Sequence, residues 1–200
     1  EFINYKDGFF VELGANDGIR QSNTFYFEKN LNWKGILIEP IKTKFNKCVK
    51  NRSKKNFFYN KACVGFNFKD AKIKMIYSDL MTTIDDVKII NKVDSMKHAL
   101  DGKKYLQSNE VIKEFYVETI TLNKIFEDIK APSLMDFLSL DVEGSEFEVL
   151  NGIDFIAHNF KYIMVESRND DQLIDYLKNK NYHFIKKISK RDLIFKYQKF

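Results

Sequence analysis

Two short segments hold the residues whose types and spacing could support chemistry. One is Glu12-Leu-Gly-Ala-Asn-Asp-Gly18, and the other is Asp141-Val-Glu-Gly144. The two glycines of the first segment allow the backbone to turn tightly and to approach a ligand without a Cβ clash. The two carboxylates of the second are suited to general-base catalysis, in which a side chain removes a proton from a nucleophile. The sequence therefore predicts a ligand-binding loop and a separate acidic centre.

The first segment overlaps the end of a short apolar run at residues 9–14, and the second follows one at residues 134–140. Both runs predict buried parallel strands. Alternation of such strands with helices is typical of a parallel sheet with crossover connections. Ser22 is the expected N-cap of the first helix, and Phe45 and Val49 share one face of the second. Further strands are predicted at residues 35–39, 56–64, 115–120 and 161–166, with helices at 23–30, 41–52, 122–129, 145–150 and 170–179.

The middle of the chain departs from this alternation. Residues 72–77 alternate polar and apolar side chains, which predicts an antiparallel or edge strand, and residues 82–110 predict a loop and helix over the site. Residues 182–188 and 192–197 predict an antiparallel pair. We therefore expect one α/β domain over residues 1–200, with a Rossmann-like, doubly wound, mostly parallel sheet, an antiparallel C-terminal strand pair and an inserted cap at residues 66–115.

The glycine loop and a second acidic residue predict the cofactor. In a doubly wound sheet, ligands bind beyond the carboxyl ends of the strands, and the helix after the loop offers free N–H groups for a carboxylate. Glu12 could accept a hydrogen bond from an ammonium group, and Glu39, after the second strand, could accept from both hydroxyls of a ribose. The segment expected to edge an adenine contains Ala62, Cys63 and Val64. Together these features predict S-adenosylmethionine.

A nicotinamide cofactor is the main enzymatic alternative. Its loop has the pattern G-x-G-x-x-G, in which the second glycine lets a pyrophosphate approach the backbone. Asn16 occupies that position here, and its side chain obstructs a pyrophosphate. The loop therefore favours S-adenosylmethionine over NAD. A non-catalytic cofactor-binding domain would have a degraded loop or missing acids, and the sequence shows neither; a glycine turn that serves only packing is the structural alternative.

The acidic centre offers candidates for a general base. In methyl transfer, which is an in-line displacement, an acceptor hydroxyl would lose its proton to such a base as the bond forms. Glu143 could be the base while Asp141 contacts the cofactor's ammonium or a metal, and the reverse assignment stays open. With Glu166, these carboxylates could hold a divalent cation, although a centre without metal, solvated or paired with Arg168, is favoured.

Four residues of the insertion are candidates for lining an acceptor pocket. His98, also in the insertion, could reach the site as a base, but a structural or surface role is favoured for it. The four lining candidates are Tyr77, Ser78, Asp79 and Thr82.

The charge and cysteine content limit the partners. The net charge of +5 is spread along the chain without a nucleic-acid-binding motif, so we expect no specific nucleic-acid partner. This charge leaves room for a phosphorylated or nucleotide-linked acceptor. Cys48 and Cys63 form no CxxC pair, which indicates reduced thiols and a cytoplasmic protein. No apolar run reaches the length of a membrane span.

Several blocks of the sequence resemble the FkbM family of methyltransferases, in the order in which the family has them. They are residues 10–18, 22–24, 36–40, 138–150 and the strand end Val165-Glu166. The segment Asp141-Val-Glu-Gly144 is the most specific, because generic methyltransferases lack it. The resemblance spans nearly all of the chain apart from the variable middle, and it departs from the family at the N-terminus, where almost nothing precedes the first strand.

The resemblance implies methyl transfer to a hydroxyl of a sugar, glycan or nucleotide-sugar-like acceptor. It places the Glu12–Gly18 loop and Glu39 at the cofactor, with Asp141 and Glu143 facing the methyl group and the acceptor. We take these last two residues as the catalytic pair. The predicted cofactor-binding residues are Glu12, Gly14, Ala15, Asn16, Asp17, Gly18, Ser22, Asn23, Glu39, Pro40, Ala62, Cys63, Val64 and Asp141.

Overall fold

A seven-stranded, mostly parallel sheet forms the centre of the computed structural model, which describes residues 3–85 and 94–199. The strands are β1 (Phe9–Leu13), β2 (Lys34–Ile38), β3 (Phe57–Tyr59), β4 (Ala62–Cys63), β5 (Lys72–Tyr77), β6 (Thr83–Ile84), β7 (Lys113–Ile120), β8 (Leu134–Leu140), β9 (Asn159–Glu166), β10 (Tyr182–Lys187) and β11 (Asp192–Tyr197). The helices are α1 (Phe25–Leu31), α2 (Lys42–Asn51), α3 (Ser95–Asp101), α4 (Leu122–Ile129), α5 (Glu146–Leu150) and α6 (Asp170–Lys178), with 3₁₀ turns at Asp79–Met81 and Gly102–Tyr105.

The strand order in the central sheet is β3-β2-β1-β8-β9-β11-β10. Neighbours from β3 to β9 are parallel, whereas β11 runs antiparallel to both β9 and β10. The chain first builds outward from β1 through β2 to β3 and later returns to the other side of β1 with β8. The predicted α/β, doubly wound sheet with an antiparallel C-terminal pair is confirmed.

The strand register aligns the ends of the parallel strands. Leu13, the last residue of β1, pairs with Ile38 of β2 on one side and with Leu140 of β8 on the other. Leu140 in turn pairs with Val165 of β9. The residues at these strand ends, Gly14, Glu39, Asp141 and Glu166, therefore lie in one row along the carboxyl edge of the sheet.

The two faces of the sheet bury different cores, because successive side chains of a strand point to opposite faces. Val11 and Leu13 of β1 belong to a large core that includes apolar residues of α4, α5 and α6. Phe10, between them, belongs to a smaller core that includes Trp33 and Cys48. Since both faces of β1 are buried, β1 is apolar at nearly every position. Within the described ranges, no helix is both long enough and apolar enough to cross a membrane.

A second, four-stranded sheet has the order β4-β7-β5-β6. The alternating residues 72–77 form β5, which is antiparallel to β7 and β6, as their pattern predicts. The single strand expected at residues 56–64 is wrong: β3 belongs to the central sheet and β4 to the second. Asn60 lies between them, and its side-chain amide donates to the carbonyl oxygens of Glu39 and Pro40, which holds the chain in a bend.

Two details of the helices differ from the sequence prediction. Helix α1 begins at Phe25, and the Ser22 hydroxyl oxygen accepts from the N–H groups of Thr24 and Phe25 in the turn before it. Helix α2 buries Lys44 and Cys48, while Val49 is exposed. The apolar pattern selected the wrong face of α2, because its buried face carries a lysine that has an ion-pair partner.

Arg52, just after α2, is the buried cation that organises the loop after β1. Its guanidinium pairs with Glu12 at 3.4 Å and with Glu28 at 2.9 Å, and it donates to the carbonyl oxygen of Gly18 at 3.1 Å. The Arg52 side chain is fully buried, and that of Glu12 is 2% exposed. A buried ion pair costs desolvation but is strongly coupled, since the loss of either partner leaves a bare charge.

We predict that Arg52→Ala lowers the free energy of unfolding by about 3–5 kcal/mol, because Glu12 then stays buried without its cation. Urea unfolding followed by circular dichroism measures the loss, with the exposed Lys50→Ala as control. The loss should shrink as the pH falls: burial raises the pKa of Glu12, and its protonation removes the unpaired charge. Equal stability of the two variants at pH 7 would contradict this role.

Candidate active site

One pocket opens at the carboxyl edge of the central sheet, over the row of strand ends. We call it the main pocket. The ends of β1, β2 and β8 contribute to its lining, together with the β4 segment and residues that follow β5. The predicted site residues that line it are Gly14, Asn16, Glu39, Pro40, Ala62, Cys63, Asp141 and Glu143, and two of the four insertion candidates, Asp79 and Thr82, do so as well.

The two glycines of the loop allow close packing against neighbouring elements. Gly14 has φ +76°, and a Cβ there would lie 2.2 Å from the carbonyl oxygen of Asp141. Gly18 has φ +84°, and a Cβ there would lie 2.7 Å from Cγ of Arg52. Both positions therefore need glycine for conformation and for space. Gly14 packs against β8 and Gly18 against Arg52, and Gly14 also lines the main pocket, so the expected approach to a ligand stays a prediction.

Asn16 links the loop to the end of β2. Its backbone is left-handed, with φ +49°, a conformation that asparagine tolerates better than most residues. The Asn16 N–H donates to Oε2 of Glu39 at 2.8 Å. Its side-chain oxygen Oδ1 is buried and has no hydrogen-bond partner among the described residues. A ligand donor in the main pocket would satisfy this atom.

Glu39 is a buried carboxylate that is only partly satisfied by the protein. Oε1 accepts from the N–H of Ile41 at 2.8 Å, and Oε2 accepts from Asn16. Burial raises the pKa of Glu39 to about 7, although the two backbone bonds and nearby Lys44 oppose the shift. Since each carboxylate oxygen can accept more than one bond, Glu39 keeps acceptor capacity toward the main pocket.

An ion pair between Asp79 of the cap and Lys44 of α2 lies in the lining of the main pocket. Asp79, at the start of the first 3₁₀ turn, has φ +48° and lies 2.5 Å from Nζ of Lys44. Arg20 approaches the same carboxylate at 3.5 Å. The other two insertion candidates do not line the pocket. Tyr77 donates to Glu110, and Ser78 donates to the carbonyl oxygen of Ala99, so both hold the cap together.

Three carboxylates form the acidic centre at the ends of β8 and β9. One oxygen each of Asp141, Glu143 and Glu166 lies within 4.8 Å of the others. Arg168 donates to Glu143 at 2.7 Å, and Arg191 donates to Glu166 at 3.2 Å. The three could hold a divalent cation, yet two of them already have protein cations beside them.

Asp141 differs from its two neighbours in having no hydrogen bond or ion pair among the described contacts. Its side chain is accessible from the main pocket although protein closely surrounds it. This desolvation raises the pKa of Asp141 well above its usual range, and the carboxylates of Glu166 and Glu143 add to the shift. A carboxyl with a raised pKa is a better proton acceptor than an ordinary aspartate.

His98 reaches the acidic centre from the cap. It lies on α3, is 6% exposed, and its Nε2 is 2.9 Å from Oε2 of Glu143. The favoured surface or structural role is therefore wrong as regards the surface: His98 is buried in contact with a predicted catalytic residue. The Thr83 hydroxyl also donates to the carbonyl oxygen of Glu143, at 2.9 Å. The cap thus contacts Glu143 at two points.

Part of the predicted cofactor set lies outside the lining of the main pocket. Glu12 is occupied by Arg52, by the hydroxyls of Ser22 and Thr24 and by the N–H of Asn23. Through these contacts, Glu12 positions the loop. The predicted residues that do not line the main pocket are Glu12, Ala15, Asp17, Gly18, Ser22, Asn23 and Val64.

The structure also brings in residues that are not among the predicted site residues. Ile41 and Lys61 adjoin predicted residues in the sequence, and that adjacency was the available signal. Lys44 gave no signal, because a buried lysine cannot be told from a solvated one by pattern. The added lining residues are Leu13, Gln21, Ile38, Ile41, Lys44, Lys61, Met75, Leu80, Ile84, Val142 and Ser145.

A comparison with protein families decides the assignment. The sequence model of the Methyltransferase FkbM domain matches residues 12–184, which span both the glycine loop and the acidic centre. The chain belongs to the FkbM methyltransferase family. The resemblance to this family that the sequence motifs predicted is confirmed. No curated protein sequence matches it.

One of two similar solved structures supports the fold of this FkbM domain. A methyltransferase FkbM from Methylobacillus flagellatus KT is similar over 98% of this chain and 45% of that chain, with a TM-score of 0.55 and 13% identity. A methyltransferase from Pyrococcus furiosus is similar over 97% and 77%, with a TM-score of 0.40 and 12% identity. The FkbM domain thus spans less than half of the Methylobacillus chain, and that likeness shows the fold alone.

Proposed function

We propose that this FkbM domain transfers a methyl group from S-adenosylmethionine to a hydroxyl of a sugar, glycan or nucleotide-sugar-like acceptor. The observation that carries the proposal is the row of Gly14, Glu39 and Asp141 at one edge of the sheet, above which the main pocket opens. The acidic centre suits an acceptor rich in hydroxyl groups, because carboxylate oxygens accept hydrogen bonds and protons from them.

The lining of the main pocket suits the ribose, the ammonium group and the adenine ring of the cofactor. Glu39 has the acceptor capacity for ribose hydroxyls, and the buried, unpartnered Oδ1 of Asn16 suits an ammonium donor. Ile41, Ala62 and Cys63 offer apolar surface for an adenine ring. S-adenosylmethionine supplies an electrophilic methyl carbon attached to a sulfonium. The protein's part is to hold that carbon in line with the acceptor oxygen.

Asp141 is the residue that we propose as the general base. It lines the main pocket, and its raised pKa favours uptake of the proton that the acceptor hydroxyl loses. The Glu143 carboxylate already accepts a hydrogen bond from Arg168 and lies 2.9 Å from Nε2 of His98, so protein partners hold its position. Of the two assignments left open by the sequence, these contacts favour the one with Asp141 as base and Glu143 as the residue that orients the acceptor.

We propose that the acidic centre works without a bound metal. Arg168 and Arg191 are donors to two of its three carboxylates, so a divalent cation would have to displace or repel them. The ion pairs thus supply positive charge where a metal would.

Calorimetric titration of the purified chain tests the cofactor. We expect micromolar affinity for S-adenosylmethionine and S-adenosylhomocysteine and none for NAD, because the side chain of Asn16 occupies the place where a pyrophosphate needs glycine. Binding of NAD alone would replace the proposal with an oxidoreductase. Binding of S-adenosylmethionine without methylation of any acceptor in a panel of sugars and nucleotide sugars would indicate a non-catalytic domain.

We predict that Glu39→Gln weakens binding of S-adenosylhomocysteine by about tenfold, because a neutral amide replaces charge-assisted bonds to the ribose. The pH dependence gives a second readout. Since burial raises the pKa of Glu39 to about 7, its carboxylate forms between pH 6 and 8, and the affinity of the parent protein should rise over that range. Glu39→Gln should lack this rise. Parallel pH profiles for the two proteins would remove Glu39 from the ribose site.

The assignment of the base is tested by a pair of variants. Asp141→Asn should lower kcat by about 10²–10⁴-fold, the usual contribution of a general base, with affinity for S-adenosylhomocysteine nearly unchanged. Glu143→Gln should mainly raise KM for the acceptor. The exposed Glu127→Gln on α4 is the control. A larger loss of kcat in Glu143→Gln than in Asp141→Asn would return the base role to Glu143.

A further inference from the structure

A second cleft opens beside the acidic centre, on the side of β9. We call it the basic cleft, after its four cationic lining residues Arg168, Lys187, Lys190 and Arg191. They come from the turn after β9 and from the end of β10 and the turn that follows it. Asp192, the first residue of β11, pairs with Glu166, the last of β9, so both turns lie at the carboxyl edge of the sheet. The basic cleft and the main pocket therefore open at the same edge.

The basic cleft has an excess of positive charge. Lys187 pairs with Asp170 and Arg191 pairs with Glu166, while Lys190 has no carboxylate partner among the described residues. The Lys187 and Arg191 side chains are 39% and 47% exposed, so both can turn toward a ligand. The third carboxyl of the lining, Glu146, is buried, which raises its pKa to about 7 and leaves it only partly charged at neutral pH.

Two residues connect the basic cleft to the acidic centre. Glu166 lines the cleft, and one of its oxygens lies within 4.8 Å of oxygens of Asp141 and Glu143. Arg168 also lines the cleft and donates to Glu143. The basic cleft therefore adjoins the acidic centre, with Glu166 and Arg168 at their common boundary.

We propose that the basic cleft binds an oxyanion, a phosphate or a carboxylate, carried by the methyl acceptor. The inference rests on the proposed function, which places the methylated hydroxyl at Asp141. Three carboxylates there repel an anionic group next to that hydroxyl, so the anion must lie at a distance from it. Arginine and lysine side chains are the usual ligands of such groups, because they form charge-assisted hydrogen bonds with them. The two regions of opposite charge thus select an acceptor with its hydroxyl at one end and its oxyanion at the other.

The test uses NMR titration of the ¹⁵N-labelled chain saturated with S-adenosylhomocysteine. The probes are glucose 6-phosphate, glucuronate and neutral glucose. We expect the two anions to shift backbone N–H signals of residues 167–170 and 187–191, more weakly at higher salt, and glucose to leave them in place. A stronger effect of the phosphate than of the carboxylate, or the reverse, identifies the source of the oxyanion.

Lys190 provides the matched variant, because its side chain is exposed and no ion pair in the described structure depends on it. Lys190→Glu should lower the affinity for the anionic probes by about tenfold, and Lys190→Gln should lower it by less. The control Lys54→Gln, at an exposed position beyond α2, should leave the affinity unchanged. Equal shifts by glucose and glucose 6-phosphate, or unchanged affinity in Lys190→Glu, would overturn the proposal. Loss of S-adenosylhomocysteine binding alone would count against the proposed function and leave the oxyanion site standing.

Discussion

Backbone pairing of β1 with both of its neighbours is the constraint on which the site depends. Leu13 pairs with Ile38 and with Leu140, so three strand ends stop at the same level. The residues that follow, Gly14, Glu39 and Asp141, come from distant parts of the sequence, yet they meet at one edge without any contact between their own side chains being required. The apolar cores on the two faces of the sheet hold this register in place, because a slip of one residue would turn each buried side chain to the opposite face.

The partners of each carboxylate, more than its residue type, decide what it can do. Glu12 is buried against Arg52 and is therefore part of the framework. Glu39 is equally buried, but backbone N–H groups hold it and no cation neutralises it directly, so it keeps capacity for a ligand. Asp141 has neither kind of partner among the described contacts, and it lines the main pocket. The three acids thus differ in how much of their hydrogen-bonding capacity the protein already occupies.

Much of the fold could be predicted because apolar runs mark buried strands directly. The predicted bounds of β8, α4 and β11 agree with the structure, and Glu39 and Asp141 could be named as candidates because they follow such runs. The contributions of the insertion were harder to predict, since they depend on contacts between distant residues. Lys44 and Asp79 form an ion pair in the lining of the main pocket, but in the sequence each alone resembles a solvated charge. The contacts of Glu12 were hard to predict for a related reason: its partner Arg52 lies forty residues away, beyond any local pattern.

The contacts between the cap and Glu143 have a consequence for how acceptor preference can change. Thr83 and His98 both belong to the cap, and they reach the backbone and the carboxylate of the same residue. Under the proposed function, remodelling the cap to admit another acceptor would also alter the polarity of the acidic centre. Replacing the cap with that of a relative would also replace the contacts of Thr83 and His98 with Glu143. We therefore expect acceptor range and reactivity to change together, and a replacement cap that preserves turnover must carry equivalents of both residues.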